Sequence, residues 1–177
     1  MSKKKLATVW LDGCSGCHMS FLDMDERLIE LADRVDLVYS PLVDTKEFPP
    51  DVDVTLVEGA VSSEEDLHKI QVIRGRTKLL VSLGDCAVTA NVPGMRNPFP
   101  VQAVYDRAYR ENVTLAPGTP DQVIPRLLPY ARPVHTVVSV DIFIPGCPPS
   151  ADTIYYALTE ILEGRQPELS GKTRFGA

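Results

Sequence analysis

Residues 6–17 read "LATVWLDGCSGC". From Leu6 to Leu11 the run is apolar apart from Thr8 and stops at Asp12-Gly13, which predicts a short strand buried on both faces. A cysteine-bearing loop follows, then "SFLDMDERLIELAD" (20–33), where Phe21, Leu22, Met24, Leu28, Ile29, Leu31 and Ala32 recur at helical spacing. Ser20, with Asp23 three residues on, predicts the start of one helix over 20–33. The alternation continues. "VDLVYS" (35–40) predicts a second strand ended by Pro41, "VDVTLVEGA" (52–60) a third, "SSEEDLHKIQVIRG" (62–75) a capped helix and "KLLVSLG" (78–84) a fourth strand. Strands alternating with helices pair in parallel, so the expected fold class is α/β, an open parallel sheet with helices on both faces. Right-handed crossovers then bring every strand's carboxyl end to one edge, where ligands bind in such sheets.

The stretch from Asn91 to His135 holds eight of the fifteen prolines and is less regular. It predicts one helix at 100–110 and a shorter one near 120–130, docked on the rest rather than left as a long loop. "VVSVDIFIPGCPPS" (137–150) is a last extended run, and "SADTIYYALTEILEGR" (150–165) an amphipathic helix with Ile154, Leu158, Ile161 and Leu162 on one side. No repeat or second domain stands out. The expectation is one domain over 1–177, with a short amino-terminal tail (1–5) and a carboxyl-terminal tail from about 166 to 177 that needs a partner to order it.

Composition narrows the function. Twenty-four acids against 18 bases give a formal charge of −6, which argues against nucleic acid as the main partner; "SKKK" (2–5) is too short for a basic arm. No apolar run approaches the roughly 18–20 residues that cross a bilayer, and the start shows neither a secretory pattern nor a twin arginine. A cytoplasmic chain is expected, in which four cysteines are better read as metal ligands than as disulfides.

Those cysteines are Cys14, Cys17, Cys86 and Cys147, and each lies just after a predicted strand. Gly13, Gly16, Gly84 and Gly146 stand before them, and Cys147 is followed by Pro148. Loops at three strand ends would bring four thiolates to one rim, the requirement of a Cys₄-ligated iron–sulfur cluster. Three other readings remain: structural zinc, which usually takes two close pairs rather than one pair and two singles; a redox dithiol at Cys14 and Cys17, which leaves Cys86 and Cys147 unexplained; and four unrelated buried thiols. Spacing favours the cluster. Glu58 ends the third strand on the same rim, either beside the metal, or as a surface carboxylate or the cap of the following helix. His18 and Asp85 flank the ligands, either tuning the site or hydrogen-bonded locally. Trp10, Tyr155 and Tyr156 are read as core or interface packing rather than redox relays.

Taken together, "WLDGCSGCHMSFLDMDERL", "VEGAV", "SLGDCA" and "PGCPPSADTI" resemble the small, electron-transfer subunit of nickel–iron hydrogenases, most nearly the soluble, bidirectional, NAD-reducing type. The likeness runs in order from about Thr8 to Leu162. It implies a flavodoxin-like fold, with Cys14, Cys17, Cys86 and Cys147 binding one [4Fe–4S] cluster at the carboxyl edge of the sheet. It also implies that the chain breaks no bonds itself. The nickel–iron centre would lie on a separate large subunit, and electrons would pass to a diaphorase module bearing further clusters, a flavin and NAD. The 91–135 stretch and the cysteine rim are the candidate faces for the large subunit. No G-x-G-x-x-G follows a strand, so NAD is not expected here, and FMN, which a flavodoxin-like rim could hold, would compete with cluster and large subunit for one edge. With no twin-arginine leader and no cysteine left over, one cluster and a cytoplasmic enzyme are expected. The related quinone-reductase subunit of respiratory complex I uses two adjacent cysteines, which "CSGC" does not reproduce; it is the second-placed relative, alongside other hydrogenase classes.

Overall fold

The structure, a computed structural model, describes residues 3–175. Five strands form one parallel sheet in the order β2-β1-β3-β5-β7: β1 (Lys4–Trp10), β2 (Val35–Tyr39), β3 (Val52–Glu58), β5 (Thr77–Leu83) and β7 (Ile142–Ile144). Counting this sheet's strands alone, the order is that of a flavodoxin-like doubly wound fold, with its switch point between β1 and β3. β3 is buried along nearly its whole length, as a parallel strand covered on both faces should be.

The covering elements fall on two sides. Leu6, Leu56, Val81 and Leu83 meet Phe21 of α1 (Gly16–Leu22), Met24, Leu31 of α2 (Arg27–Ala32) and Ile154 and Leu158 of α7 (Ala151–Leu162). Ala7, Val9, Val57 and Leu80 meet Ile70 and Ile73 of α3 (Glu64–Arg76), with Phe48 and Val134. Ile154 and Leu158 are fully buried, and each stabilises the fold by about 1.5–3 kcal/mol. Caps fix the helix starts. Ser63 Oγ accepts from Asp66 N–H while Asp66 accepts from Ser63 N–H, and Ser150 Oγ accepts from Thr153 N–H.

Several expectations change. The helix over 20–33 is two, α1 and α2, broken at 23–26 where Asp25 turns left-handed (φ 51°), a conformation Asp tolerates, and Met24 drops into the core. Ser20 starts neither helix. α1 begins at Gly16, and the buried Ser20 hydroxyl donates to Pro149 O at 2.6 Å. The helix near 120–130 is instead β6 (Leu127–Arg132), pairing antiparallel with β4 (Val61–Ser63); Pro120, Pro125 and Pro129 supply no N–H for a helix. The extended run 137–150 is a strand only over β7, which Pro145 stops. The helix at 100–110 is present as α6 (Val101–Asp106) continuing into a π turn at Arg107–Glu111.

Besides the β4–β6 pairing, two side chains brace the 91–135 stretch. Arg96 donates to Ser62 O and Leu128 O, and Asn97 bonds both the N–H and the C=O of Ala131. The tails differ too. Lys4 and Lys5 belong to β1, so the amino-terminal tail is shorter than 1–5; Ser2 and Met1 lie outside the described residues. Within 166–175 the chain folds back: Pro167 is buried, Leu169 packs on the core, and Thr153 Oγ1 donates to Lys172 O at 2.9 Å. Residues 176–177 lie outside the described part.

Candidate functional site

Three strand ends and one helix start build the site. β1 runs into the loop bearing Cys14, and Cys17 sits in the first turn of α1. β5 runs through Gly84 into α4 (Asp85–Thr89), which carries Cys86, and β7 runs through Pro145-Gly146 into Cys147. One recess at this carboxyl edge is lined by all four cysteines with Glu58, Asp85, Gly16, Gly146 and Pro148. Cys17 and Cys86 are buried at its floor; Cys14 and Cys147 are exposed at its mouth. The four residues singled out in the sequence are brought together.

Glycine makes the approach. Gly84 has φ 80° and ψ 161°, a region open essentially to glycine alone, and a Cβ there would lie 2.1 Å from Cys17 Sγ. At Gly146 (φ 144°) a Cβ would meet Pro149 Cα at 2.5 Å.

Buried polar side chains tie the arms of the recess to one another. Glu58, at the end of β3, is 1% exposed, and its Oε2 accepts from His18 N–H at 2.8 Å and contacts His18 Nδ1 at 2.5 Å. It is neither a surface carboxylate nor the cap of the following helix, whose start Ser63 and Asp66 hold; it accepts a first-turn N–H of α1 and locks that helix, and with it Cys17, to β3. His18 is itself buried, and its Nε2 has no partner among the described residues. Asp85 joins the arms of Cys86 and Cys147: its Oδ1 accepts from Gly146 N–H at 2.7 Å, and its own N–H donates to Gly146 O at 2.8 Å. Ser20 joins α1 to the "GCPP" loop. Neither flanking residue is merely hydrogen-bonded locally: His18 bonds Glu58 and Asp85 bonds Gly146, both far along the chain and across the site.

Two donors face sulfur. Asn91 Nδ2 lies 3.6 Å from Cys147 Sγ, and the Val92 backbone N–H donates to Cys86; both residues open α5 (Asn91–Gly94). The sequence reading missed Asn91 and Ser20, because nothing in a lone Asn or a mid-helix Ser marks a long-range contact. Glu58 did carry a signal, as an acid closing an apolar strand at the ligand edge. Trp10 is not core. It is 45% exposed, and its Nε1 donates to Gly13 O beside the cysteine loop. Tyr155 donates to Glu30 under Arg27, and Tyr156 lies beneath Lys172.

Burial pushes the Cys17 thiol far above the usual thiol range, and the charges of Glu58, Cys86, Cys14 and Cys147 add to the rise. Burial also raises Cys86, against the Val92 N–H, which favours the thiolate. Several acidic groups converging in this way fit a cationic group that takes the place of their protons. Among the described residues no three His, Cys, Asp or Glu side chains are grouped as the ligands of one metal ion. The thiols ring the recess instead.

This fold is that of a known family. The model of the NADH ubiquinone oxidoreductase 20 Kd subunit matches residues 14–161, from the first cysteine to the last turn of α7, and the chain belongs to that family. Within it, the chain is 43% identical to the NAD-reducing hydrogenase HoxS subunit delta of Cupriavidus necator, over 94% of this chain and 82% of that one. It is 37% identical to a subunit of the F420-non-reducing hydrogenase vhu of Methanocaldococcus jannaschii, over 95% of this chain but only 59% of that relative's length. A crystal structure of an NAD+-reducing [NiFe]-hydrogenase in the H2-reduced state superposes with a TM-score of 0.93 at 36% identity, covering 98% of this chain and 99% of that one. The resemblance to hydrogenase small subunits and the flavodoxin-like fold both stand.

Proposed function

We propose that the chain is the electron-relay subunit of a cytoplasmic NAD-reducing [NiFe] hydrogenase, in which Cys14, Cys17, Cys86 and Cys147 hold one [4Fe–4S] cluster. The carrying observation is the convergence of four thiols from three strand ends on one recess, in a chain so similar to a subunit of an NAD-reducing hydrogenase. When bound, the cluster supplies a one-electron redox site whose potential, anywhere from about −700 to +450 mV for such clusters, is set by its surroundings.

This chain's own residues hold and shield that position. Cys17 and Cys86 anchor the buried side, while Cys14 and Cys147 present sulfur at the surface where a partner docks. Glu58, Asp85 and Ser20 hold the ligand arms at fixed separations. The partner at the mouth is the large subunit bearing the nickel–iron site. Exposed Val92, Met95 and Phe99 extend the edge beside Cys86 into an apolar surface suited to it. Diaphorase subunits with further clusters, flavin and NAD receive the electrons. Residues 1–177 act as one domain in this scheme. Among the described residues no helix is long and apolar enough to cross a membrane.

Co-purification tests the assembly: hydrogenase large-subunit and diaphorase chains should accompany this one, and quinone-reductase subunits in their place would transfer it to the second-placed relative. Metal analysis tests the alternative of a zinc-stapled interaction subunit: iron with sulfide supports the relay, and zinc in their place would overturn it.

A further inference from the structure

Asn91 is exposed, five residues beyond Cys86, and no buried network forces its side chain toward the recess. Its amide nonetheless lies 3.6 Å from Cys147 Sγ, an ordinary N–H···S separation for the larger sulfur atom. The backbone goes to some expense to bring it there. Between α4 and α5 the chain turns through Ala90, held left-handed (φ 64°, ψ 1°) although it has a Cβ, at a cost of about 1–3 kcal/mol. That turn returns the chain over the recess, so that consecutive residues deliver donors to two different sulfurs, Asn91 to Cys147 and Val92 to Cys86. A thiolate sulfur only accepts hydrogen bonds, so the amide must present its NH₂ side and not its oxygen.

We propose that Asn91 is a positioning residue for electron transfer, whose amide N–H, donated to the Cys147 sulfur, raises the reduction potential of the cluster that sulfur ligates. The inference rests on the reading that Cys147 is a ligand. Reduction adds one electron to the cluster and its thiolates, with no bond made or broken at Asn91. A donor dipole aimed at sulfur stabilises the more negative, reduced form more than the oxidised one. The bond strengthens once a docked partner excludes water from the mouth of the recess, because a lower local dielectric magnifies it. Val92 acts in the same sense at Cys86 through its backbone, which no side-chain substitution removes; Asn91 is the adjustable half of the pair.

The test is a redox titration of the intact complex followed by EPR, with reduction by dithionite through mediators. The signal belonging to this chain is identified as the one lost in Cys147→Ser. Three variants separate the effects. Asn91→Leu keeps the size and removes the donor, and its midpoint should fall. Asn91→Asp replaces the donor by an anionic acceptor of the same shape, and its midpoint should fall further. Asn91→Gln retains an amide and should recover part of the loss. Iron content per chain, measured in parallel, should match the unsubstituted protein in all three, because Asn91 is exposed. Equal midpoints in the unsubstituted, Leu and Asp forms would overturn the role of Asn91 while leaving the ligand assignment intact. A Cys147→Ser chain that keeps its full iron content and every EPR signal would remove the ligand assignment, and this inference with it.

Discussion

The two edges of the central sheet are made from the same strands and put to opposite uses. At the amino edge, Asp53 accepts from Lys5 N–H at 2.9 Å and pairs with Lys78 Nζ at 2.7 Å, and Lys3 pairs loosely with Asp36; these lysines and Asp36 stand in water. At the carboxyl edge, Glu58, Asp85 and His18 are all at most 5% exposed; Glu58 ties the helix that carries Cys17 to β3, and Asp85 ties the loop of Cys147 to the helix that carries Cys86. Ion pairs at the wet edge are screened and worth little, whereas a buried carboxylate holding backbone N–H groups cannot lose them cheaply. A fold that needed only stability would have no reason to bury two carboxylates beside four thiols. The carboxyl edge carries this cost because it positions ligands.

Substitutions that cross this contrast should rank accordingly. The largest effect is expected at Glu58→Ala, which strands His18 N–H and Nδ1 in a buried site. It should cost about 3 kcal/mol or more in denaturant unfolding of the full chain, with lower iron loading. Gly84→Ala comes next. The backbone conformation alone costs about 1–3 kcal/mol, and the new methyl drives Cys17 aside, so iron per chain should fall further than stability. Ser20→Ala removes one buried hydroxyl from the Pro149 carbonyl and should cost about 1 kcal/mol, visible as a small drop in the denaturant midpoint.

Asp53→Asn at the opposite edge should change almost nothing at neutral pH. The Lys78 hydrogen bond holds the Asp53 carboxyl below its ordinary range, so its small contribution is present above the unfolded carboxylate pKa. That contribution is lost as pH falls through the depressed folded value. Melting curves of Asp53→Asn and the unsubstituted chain should therefore converge in acid. A large loss at neutral pH would erase the contrast between the edges.

Much of this was legible from sequence for a physical reason. Parallel strands covered on both sides leave continuous apolar runs, and "LATVWL", "VDVTLVE" and "KLLVSL" name β1, β3 and β5 directly. The loops after β1 and β5, with the one after the later run "DIFI", then place Cys14, Cys17, Cys86 and Cys147 on one edge. What escaped was set by tertiary contact. The break at 23–26 follows from burying Met24, and β6 exists only because β4 is there to pair with it. Ser20 and Asn91 act on residues more than fifty positions away, Pro149 and Cys147, which no local pattern announces.

The central claim, that the four cysteines hold one iron–sulfur cluster, is tested most directly by counting metal in the purified complex with and without Cys86→Ser. The difference should be about four iron and four sulfide per copy of this chain, with loss of one EPR signal. Zinc bound to this chain in place of iron, or an unchanged iron count in Cys86→Ser, would contradict it.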